Sequence, residues 1–408
     1  MTDQPVDDDP TAGAASPATA GSRRGLLVTG RLIFVLVTVA VLAVAGIGWV
    51  IHHRADVAIA THQVGDALFP NDPNIKRPTS SGATQPSAGS LGSSTATNPG
   101  SSTATNSGGA PGSTPAPAGT VSPAQAATMP AQNILVLGLD SRGNATGGVG
   151  PGTSESDVIM VAHLYAGHQQ MSVLSIPRDL YVAAPTCKEW NNATGAVSAH
   201  TFTSPYTSWK ITNAYSVGGP RCTVQAVQSL TGLRIDRMIT IQFDGFKSIV
   251  DALGGVQMTF TGPVIDQHQG TVISHPGTQL VTGDQALRLV RSRIVKGDSS
   301  GDLGRIDRQQ QVLKAMMRKT VSSGVLTNPS KLDKVMQTFI ANSTTANVSV
   351  DQLLDLARQF AGGHSVKFVT LPTTPAAGTD GLHGTGADQA IFTALVNDRP
   401  IPATSPSS

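Results

Sequence analysis

The segment from Pro78 to Gln132 limits where this 408-residue chain can fold, because it contains no charged and no aromatic residue. Ser, Thr, Gly, Ala and Pro dominate it, and the hexapeptide SSTATN occurs at 93–98 and again at 101–106. Such a segment cannot bury enough apolar surface to offset the entropy lost on ordering. We therefore predict a disordered linker over 52–131, one folded domain over 132–399 and a disordered tail over 400–408.

An apolar run without charge, Leu32–Ile51, precedes the linker. At 1.5 Å per residue, a helix of this length spans a bilayer core of roughly 30 Å, so we predict a transmembrane helix. A cleaved signal peptide is the alternative, but the run is long and no small-residue cleavage site follows it directly. Three arginines precede the run and Arg54 follows it, so the positive-inside rule predicts a cytoplasmic tail over 1–31.

The folded domain is therefore expected outside the cytoplasm, in a single-pass protein of the cell membrane. The net charge of +2 says little by itself, but this location and a pI near 8.6 argue against a nucleic-acid partner. Cys187 and Cys222 are the only cysteines, and outside the cytoplasm such a pair is more often a disulfide than two free thiols. No CxxC motif or cluster of histidines favours a metal site instead.

Strand and helix patterns alternate through the predicted domain. Short runs rich in Val, Ile and Leu predict strands at 133–140, 156–165, 171–182, 238–243, 256–260 and 366–371. Helical spacing predicts helices at 223–230, 243–253, 282–291, 305–321, 330–341, 350–360 and 387–396. The third helix begins with a capping-box sequence from Thr282 to Gln285. This order predicts an α/β or α+β fold with a mixed central sheet flanked by helices on both sides.

Charge is concentrated in one segment of a chain that has only 13% charged residues. The segment 288–308 contains Arg288, Arg291, Arg293, Arg305 and Arg308. A guanidinium is always ionised and its planar fork matches phosphate oxygens, so the cluster predicts a phosphate or pyrophosphate ligand. A solvated face of Arg–Asp pairs is the alternative. Cations at the start of a helix oppose its dipole, which favours a bound anion near Arg305 and Arg308.

Two aspartates lie where neighbouring strands are predicted to meet. Asp140 ends the first predicted strand and Asp157 begins the second, so both carboxylates should lie at one edge of the sheet. Mg²⁺ prefers such oxygen ligands and commonly binds substrate phosphates at the same time. Arg178 lies directly after Pro177 in the third predicted strand and is a further phosphate ligand in this interpretation. The alternatives are a turn or cap role for each aspartate and a surface ion pair between Arg178 and Asp179.

Several ordered motifs resemble those of the LytR-CpsA-Psr family of extracytoplasmic cell-wall enzymes. The motifs are NILVLGLDSRG (133–143), SDVIMVAHL (156–164), MSVLSIPRDLYV (171–182), KITNAYSVGGP (210–220), FDGFKSIVDALGGV (243–256) and VTGDQALRLVRSRIVKGDSSGDLGRIDRQQQVL (281–313). The resemblance covers roughly 132–316. It implies transfer of a glycan-phosphate polymer from a polyprenyl-pyrophosphate carrier to a sugar hydroxyl of peptidoglycan, with an apolar groove for the lipid tail.

The resemblance also implies a role for each site residue. Asp140 and Asp157 would hold Mg²⁺ against the pyrophosphate, in a metal-assisted phosphoryl transfer that depends on positioning and charge neutralisation. The implied catalytic residues are Arg178, Arg291, Arg293 and Arg305. The implied substrate-binding residues are Arg308, Gln309, Lys210, Asn213 and Arg142. The chain departs from many relatives at Glu155–Val158, where they carry Arg-Ser-Asp-Thr, and at Leu289, where they carry Tyr.

Two other functions would use the same residues. One is a polyprenyl-pyrophosphate pyrophosphatase, in which water replaces the acceptor hydroxyl, and the other is a polyprenyl-phosphate-binding protein without catalytic activity. The Gly-, Ala-, Thr- and Pro-rich composition is typical of a high-GC organism. If the host builds an arabinogalactan wall, that polymer is the expected donor.

Overall fold

The computed structural model describes residues 129–141, 154–191, 194–361 and 365–402. The predicted cytoplasmic tail and transmembrane helix, most of the predicted linker and Arg142 lie outside these residues. None of the helices in the described ranges is long and apolar enough to cross a bilayer. The membrane anchor and the linker therefore stay predictions.

The described residues form sixteen strands, seven α-helices and a short 3-10 helix, Ala166–His168. The strands are β1 (Gln132–Ser141), β2 (Ser154–Leu164), β3 (Gln170–Ile176), β4 (Tyr181–Ala183), β5 (Cys187–Asn191), β6 (Ala196–Phe202), β7 (Ser208–Lys210), β8 (Arg237–Gln242), β9 (Val256–Phe260), β10 (Val264–Asp266), β11 (Gly270–Ile273), β12 (Gly277–Val281), β13 (Ser343–Ala346), β14 (Ser365–Thr370), β15 (Thr373–Pro375) and β16 (Leu382–Gly384). The helices are α1 (Asn213–Thr231), α2 (Phe243–Ala252), α3 (Gly283–Arg291), α4 (Asp302–Ser322), α5 (Pro329–Ala341), α6 (Val350–Ala361) and α7 (Ala387–Val396).

Six of the strands form a mixed central sheet in the order β13-β8-β1-β2-β3-β14. β1 runs parallel to β8 and β3 runs parallel to β14, whereas the other neighbours are antiparallel. Successive side chains of a strand point to opposite faces, so the sheet contributes to two cores. Leu135 and Leu137 pack with α1 and α7 on one face, and Ile134 packs with α4, α5 and α6 on the other. The predicted mixed sheet with helices on both sides is therefore confirmed.

Two predicted elements differ from the structure. The predicted strand 171–182 ends at Ile176, because Pro177 has no N–H to donate and the chain turns at Arg178 and Asp179 before β4. The predicted helix 223–230 is only the second half of α1. The backbone of Gly219, at φ 60° and ψ −150°, is not helical, so α1 consists of two helical segments that meet at a kink, and Gly218-Gly219-Pro220 marks the boundary between them.

The predicted strand 256–260 exists as β9 but lies outside the central sheet, where it pairs with β12. Together with β11, α2, α3 and α4 this strand pair forms a separate apolar core. The packed structure also extends beyond the predicted domain bounds. The Met129 carbonyl accepts a 2.9 Å hydrogen bond from Gly167 N, and Ile401 is 3% exposed.

A disulfide joins Cys187 in β5 to Cys222 in α1, with the two Cα atoms 5.6 Å apart. The β5–β6 hairpin is thereby attached to the helix. Gly218 allows this close approach, because a Cβ there would lie 2.5 Å from Cys222 Cβ and 2.8 Å from Cys187 Cβ. The disulfide and this glycine hold an otherwise exposed hairpin against α1.

Candidate functional site

Asp140 and Asp157 lie at the same end of two adjacent antiparallel strands. Asp140 pairs with Glu155, but the register shifts so that Leu139 pairs with Ser156 and Gly138 pairs with Val158. Asp157 is therefore the extra residue of a β-bulge, a distortion that re-aims side chains and is common beside functional sites. Both aspartates therefore lie at the same end of two neighbouring strands, as predicted, although β2 begins at Ser154, before Asp157.

Two arginines from distant segments reach Asp157. Arg178 Nη1 donates to Asp157 Oδ1, and Arg293 Nη2 lies 3.4 Å from Asp157 Oδ2. The Asp157 side chain is only 5% exposed. Burial alone would raise the pKa of this carboxyl, but Arg178, Arg305 and Arg293 outweigh burial and hold the pKa below its usual range. Asp157 is therefore a buried carboxylate that depends on its arginine neighbours.

A third arginine, Arg291, pairs with the carboxylate of Asp140 on the neighbouring strand. Arg291 Nη2 donates to Asp140 Oδ1, and its Cζ lies 4.9 Å from the centroid of the Phe243 ring. The ring face attracts the cation and limits where the guanidinium can lie. Phe243 is the first residue of α2, and the sequence analysis did not single it out as a site residue.

The way α3 begins and ends positions Arg291, its last residue, and Arg293, two residues further on, beside these two carboxylates. The predicted capping box is confirmed: Gln285 N donates to the Thr282 hydroxyl and Thr282 N donates to Gln285 Oε1. The helix ends at Arg291, and the extended backbone of Ser292 breaks helical spacing before Arg293. The two arginines therefore leave the helix in different directions and reach neighbouring strands.

Arg305, in the first turns of α4, is the most deeply buried cation of the site, at 1% exposure. Its Nη2 lies 2.7 Å from Asp302 Oδ1, and its buried Nε has no hydrogen-bond partner among the described residues. Burial lowers the pKa of Arg305 to about 10, and the neighbouring cations Arg178 and Arg293 act in the same direction although Asp302 opposes them. A buried arginine in this position favours binding of an anion.

Arg308 and Gln309 support the segment between α3 and α4. Arg308 Nη1 donates to Asp298 Oδ2 at 2.7 Å, and its Nη2 donates to the Ser292 carbonyl at 2.9 Å. Gln309 Nε2 donates to the Val290 carbonyl at 3.2 Å. In this structure both side chains therefore hold the protein backbone, and their role in substrate binding stays a prediction.

Asp266 also supports the segment between α3 and α4, through hydrogen bonds to its backbone. The sequence analysis did not identify this residue. Its Oδ2 accepts hydrogen bonds of 2.8 Å from the backbone N–H groups of Arg293 and Ile294. Its Oδ1 accepts from His268 N and Gln269 N. Burial alone would raise the pKa of Asp266, but these four amides hold the pKa below its usual range. An aspartate before a turn is a common sequence feature, so no local signal distinguishes it.

Lys210, at the end of β7, joins the cluster through Asp179. Its Nζ lies 3.2 Å from Asp179 Oδ1, while Asp179 Oδ2 lies 3.4 Å from Arg178 Nε. A second carboxylate, Asp380 between β15 and β16, lies 2.8 Å from the same ammonium, and the sequence analysis did not find it. Asn213 begins α1 and is partly buried, and its carbonyl accepts from Ser216 Oγ at 3.2 Å. No described contact joins the Asn213 side chain to the arginine cluster.

The donor set limits what kind of cation site this can be. Among the described residues no group of three or more His, Cys, Asp or Glu side chains could hold a metal ion. Asp140 and Asp157 offer carboxylate oxygens from two residues, which is too few for a site built from protein ligands alone. Such a pair does fit Mg²⁺, which is commonly bound through one or two carboxylates together with substrate phosphates and water.

Comparison with known proteins places this geometry in context. The chain is 31% identical over 223 residues to the polyisoprenyl-teichoic acid–peptidoglycan teichoic acid transferase TagV of Bacillus subtilis (strain 168), covering 54% of this chain and 51% of that protein. It is 32% identical over 231 residues to the transferase TagU of Bacillus mycoides, which bears the same enzyme name, covering 56% of this chain and 64% of TagU. The chain thus matches about half to two thirds of the length of these relatives.

Solved structures show the same fold. The crystal structure of B. subtilis TagV has a TM-score of 0.50 at 25% identity and covers 66% of this chain and 98% of that chain. Protein gbs0355 from Streptococcus agalactiae has a TM-score of 0.52 at 22% identity and covers 68% and 91%. The model of the LytR_cpsA_psr family matches residues 96–397, beginning within the predicted linker. This match covers well over half of the sequence, and the chain belongs to the LytR_cpsA_psr family.

Proposed function

We propose that this protein transfers a glycan-phosphate polymer from a polyprenyl-pyrophosphate carrier to a hydroxyl of peptidoglycan. The observation that carries the proposal is the convergence of four arginines on Asp140 and Asp157 at one sheet edge. The relatives TagV and TagU are named as teichoic acid transferases acting on peptidoglycan, which supports transfer of a glycopolymer.

The arginines bind and orient the pyrophosphate. Arg178, Arg291 and Arg293 offer guanidinium forks that match phosphate oxygens, and each is now held by a carboxylate that such oxygens would replace. Arg305 adds a buried cation whose charge is poorly hydrated, so its interaction with an anion is strong. The site is therefore built to hold negative charge in a defined position.

In the chemical step the acceptor hydroxyl oxygen attacks the phosphorus that bears the glycan. A new P–O bond forms, and the P–O bond to the carrier phosphate breaks, which releases polyprenyl phosphate and leaves the glycan joined through a phosphodiester. The hydroxyl proton passes to a base or to solvent. The arginines neutralise charge on the leaving phosphate, the kind of stabilisation that supplies most of the rate in phosphoryl transfer. Mg²⁺, held by Asp140 and Asp157, would add Lewis-acid neutralisation of the phosphate oxygens.

The proposal includes a location. The uncharged run Leu32–Ile51 would anchor the protein in the cell membrane with its N-terminus in the cytoplasm, and the linker would place the folded domain outside. There the domain would meet both a membrane-bound carrier and peptidoglycan. Arabinogalactan is our proposed donor polymer if the host wall contains it.

The proposal is tested with purified full-length protein and a synthetic polyprenyl-pyrophosphate glycan, with and without Mg²⁺ and with and without peptidoglycan. Glycan joined covalently to peptidoglycan only when Mg²⁺ is present is the expected result. Hydrolysis of the pyrophosphate at the same rate without an acceptor would instead indicate a pyrophosphatase. Binding without turnover would indicate a lipid-binding protein. Donors bearing arabinogalactan or teichoic acid fragments, compared in the same assay, test the donor class.

A further inference from the structure

The carboxylates proposed to hold the cation are themselves paired with the arginines proposed to hold the pyrophosphate. Arg291 occupies Asp140, and Arg178 and Arg293 occupy Asp157. We infer that a divalent cation and pyrophosphate bind this site in a mutually dependent way, through an exchange of partners. The cation binds the carboxylates that pyrophosphate frees from the arginines, and pyrophosphate binds the arginines that the cation frees from the carboxylates. This inference rests on the proposed function and concerns how the same site selects its ligands.

A divalent cation that arrives alone has to displace arginines from Asp157. The Arg178 side chain is only 12% exposed, so its guanidinium cannot turn freely into bulk water. The Arg178 guanidinium would remain beside the incoming cation and near Arg305. The positive charge of Arg305 is repelled by those of Arg178 and Arg293. Leaving buried like charges unpaired is strongly unfavourable. The cation alone should therefore bind weakly.

Pyrophosphate that arrives alone meets the opposite difficulty. Its oxygens would draw Arg178 and Arg293 away from Asp157, whose side chain is 5% exposed. The carboxylate would then be buried beside a polyanion without its counter-charges. Removing the paired cations from a buried carboxylate is strongly unfavourable. Pyrophosphate alone should therefore also bind weakly.

When both ligands arrive, the exchange is balanced. The carboxylates then bind the cation instead of the arginines, and the arginines bind the phosphate oxygens instead of the carboxylates. No charge is left buried without a partner. Such coupling is reciprocal, and coupling between sites typically changes affinity by about 5- to 150-fold. Asp157 and Arg178 are the most buried members of the pairs, at 5% and 12% exposure, so the exchange at Asp157 carries most of the coupling.

The test titrates each ligand by itself, because Mg²⁺ and pyrophosphate also bind each other in solution. Isothermal titration calorimetry of the full-length protein with MgCl₂ is compared for wild type, Arg178→Gln and Arg293→Gln. Both variants remove a competitor for Asp157, so we expect them to bind Mg²⁺ about 5-fold or more tightly than wild type. Sodium pyrophosphate is then titrated into wild type and Asp157→Asn, and the variant should bind it more tightly by a similar factor.

Arg288→Gln is the matched control. It removes an arginine from α3, but Arg288 Nη2 donates to the carbonyls of Gln269 and Thr271 rather than to a carboxylate of the site. It should bind Mg²⁺ as wild type does, which separates partner exchange from the loss of one positive charge. Arg293 is 35% exposed, so Arg293→Gln tests the inference even if Arg178→Gln does not fold.

Two results would overturn the inference. One is Mg²⁺ binding by folded Arg293→Gln that is no tighter than in wild type, and the other is pyrophosphate binding by Asp157→Asn that is no tighter than in wild type. No glycan or peptidoglycan enters these titrations, so the inference can fail while the transfer assay succeeds. A separate titration with preformed magnesium pyrophosphate tests the proposed function, which fails together with the inference if wild type does not bind this complex.

Discussion

Arg308 and Asp298 form an ion pair, with 2.7 Å between Nη1 and Oδ2, across the segment that joins α3 to α4. The pair is supported by hydrogen bonds from Ser300 to the same aspartate, which with Arg308 lower the pKa of Asp298 to about 2. Arg293 lies in this segment and Arg305 lies in the first turn of α4 that follows it, so the pair fixes the backbone that carries two arginines of the site. Gly304 makes it possible, since a Cβ there would lie 2.5 Å from Asp298 Oδ2 and 2.3 Å from Ser300 Oγ.

Substituting Gly304→Ala should reduce transfer more than stability. The obstructing atoms are side-chain ends that can move aside, and alanine favours a helix over glycine by about 1 kcal/mol, so the fold should be retained. Displacing Asp298 and Arg308 should shift Arg293 and Arg305, and a misplacement of about 1 Å can lower a rate by about 100-fold. Transfer rate and thermal unfolding are measured together. Gly262→Ala, at a position with open space around it, is the control and should match wild type.

Removing either the buried cation Arg305 or Asp140, a carboxylate proposed to hold Mg²⁺, should reduce transfer to a small fraction of the wild-type rate. Arg305→Ala and, separately, Asp140→Ala should each lower the transfer rate by about 100- to 1,000-fold, the effect typical of losing one positioned electrostatic group. Circular dichroism should show folded protein in both cases, because Asp302 is 24% exposed and can be hydrated after Arg305 is removed. Arg288→Ala serves as a control that removes an arginine from outside the carboxylate pairs. Wild-type turnover in a folded Arg305→Ala or Asp140→Ala protein would show that the site is wrongly assigned.

Asp157 should make stability fall in acid. Burial alone would raise its pKa in the folded protein, but Arg178, Arg305 and Arg293 outweigh burial and hold the pKa below that of an ordinary aspartate. A carboxyl whose folded pKa is depressed contributes stability that is present above its unfolded pKa and is lost as the pH falls through the folded pKa. We therefore expect the free energy of unfolding to decline below about pH 4, and Asp157→Asn to make that decline shallower.

Urea unfolding of both proteins between about pH 3 and pH 7 measures this effect. Asp284→Asn is the control, since the Asp284 side chain is 58% exposed and forms a surface pair with Lys247. Parallel pH profiles for wild type and Asp157→Asn would contradict the prediction.

The disulfide should stabilise the domain. Cys187 and Cys222 are separated by 35 residues, and closing a loop of that length contributes about 3–4 kcal/mol in the chain-entropy treatment. The double substitution Cys187→Ser/Cys222→Ser should lower the free energy of unfolding by that amount, measured by urea denaturation without reductant. With dithiothreitol present, wild type should unfold at the same urea concentration as the double variant. Equal stability of the two proteins without reductant would show that the bridge contributes nothing.

Long periodic elements were predictable, and short paired ones were not. The last helix was predicted over 387–396, the same residues as α7, and the capping box located the start of α3. Strands such as β4, β7 and β13 have three or four residues each, too few to show a periodic pattern. Their existence depends on hydrogen bonds to segments far away in the chain, which local sequence does not reveal.

For this protein, the sequence by itself determined the kinds of groups in the site and the order of the main elements. Those follow from side-chain chemistry and from hydrophobic period, which are local properties. Only the tertiary structure decided that Arg291 pairs with Asp140, that Arg178 and Arg293 share Asp157, and that Asp266 and Asp298 hold the segment between them. Each of these pairings joins residues brought together by a bulge, a helix end or a packed loop. Their energies depend on burial, and burial exists only once the whole chain is packed.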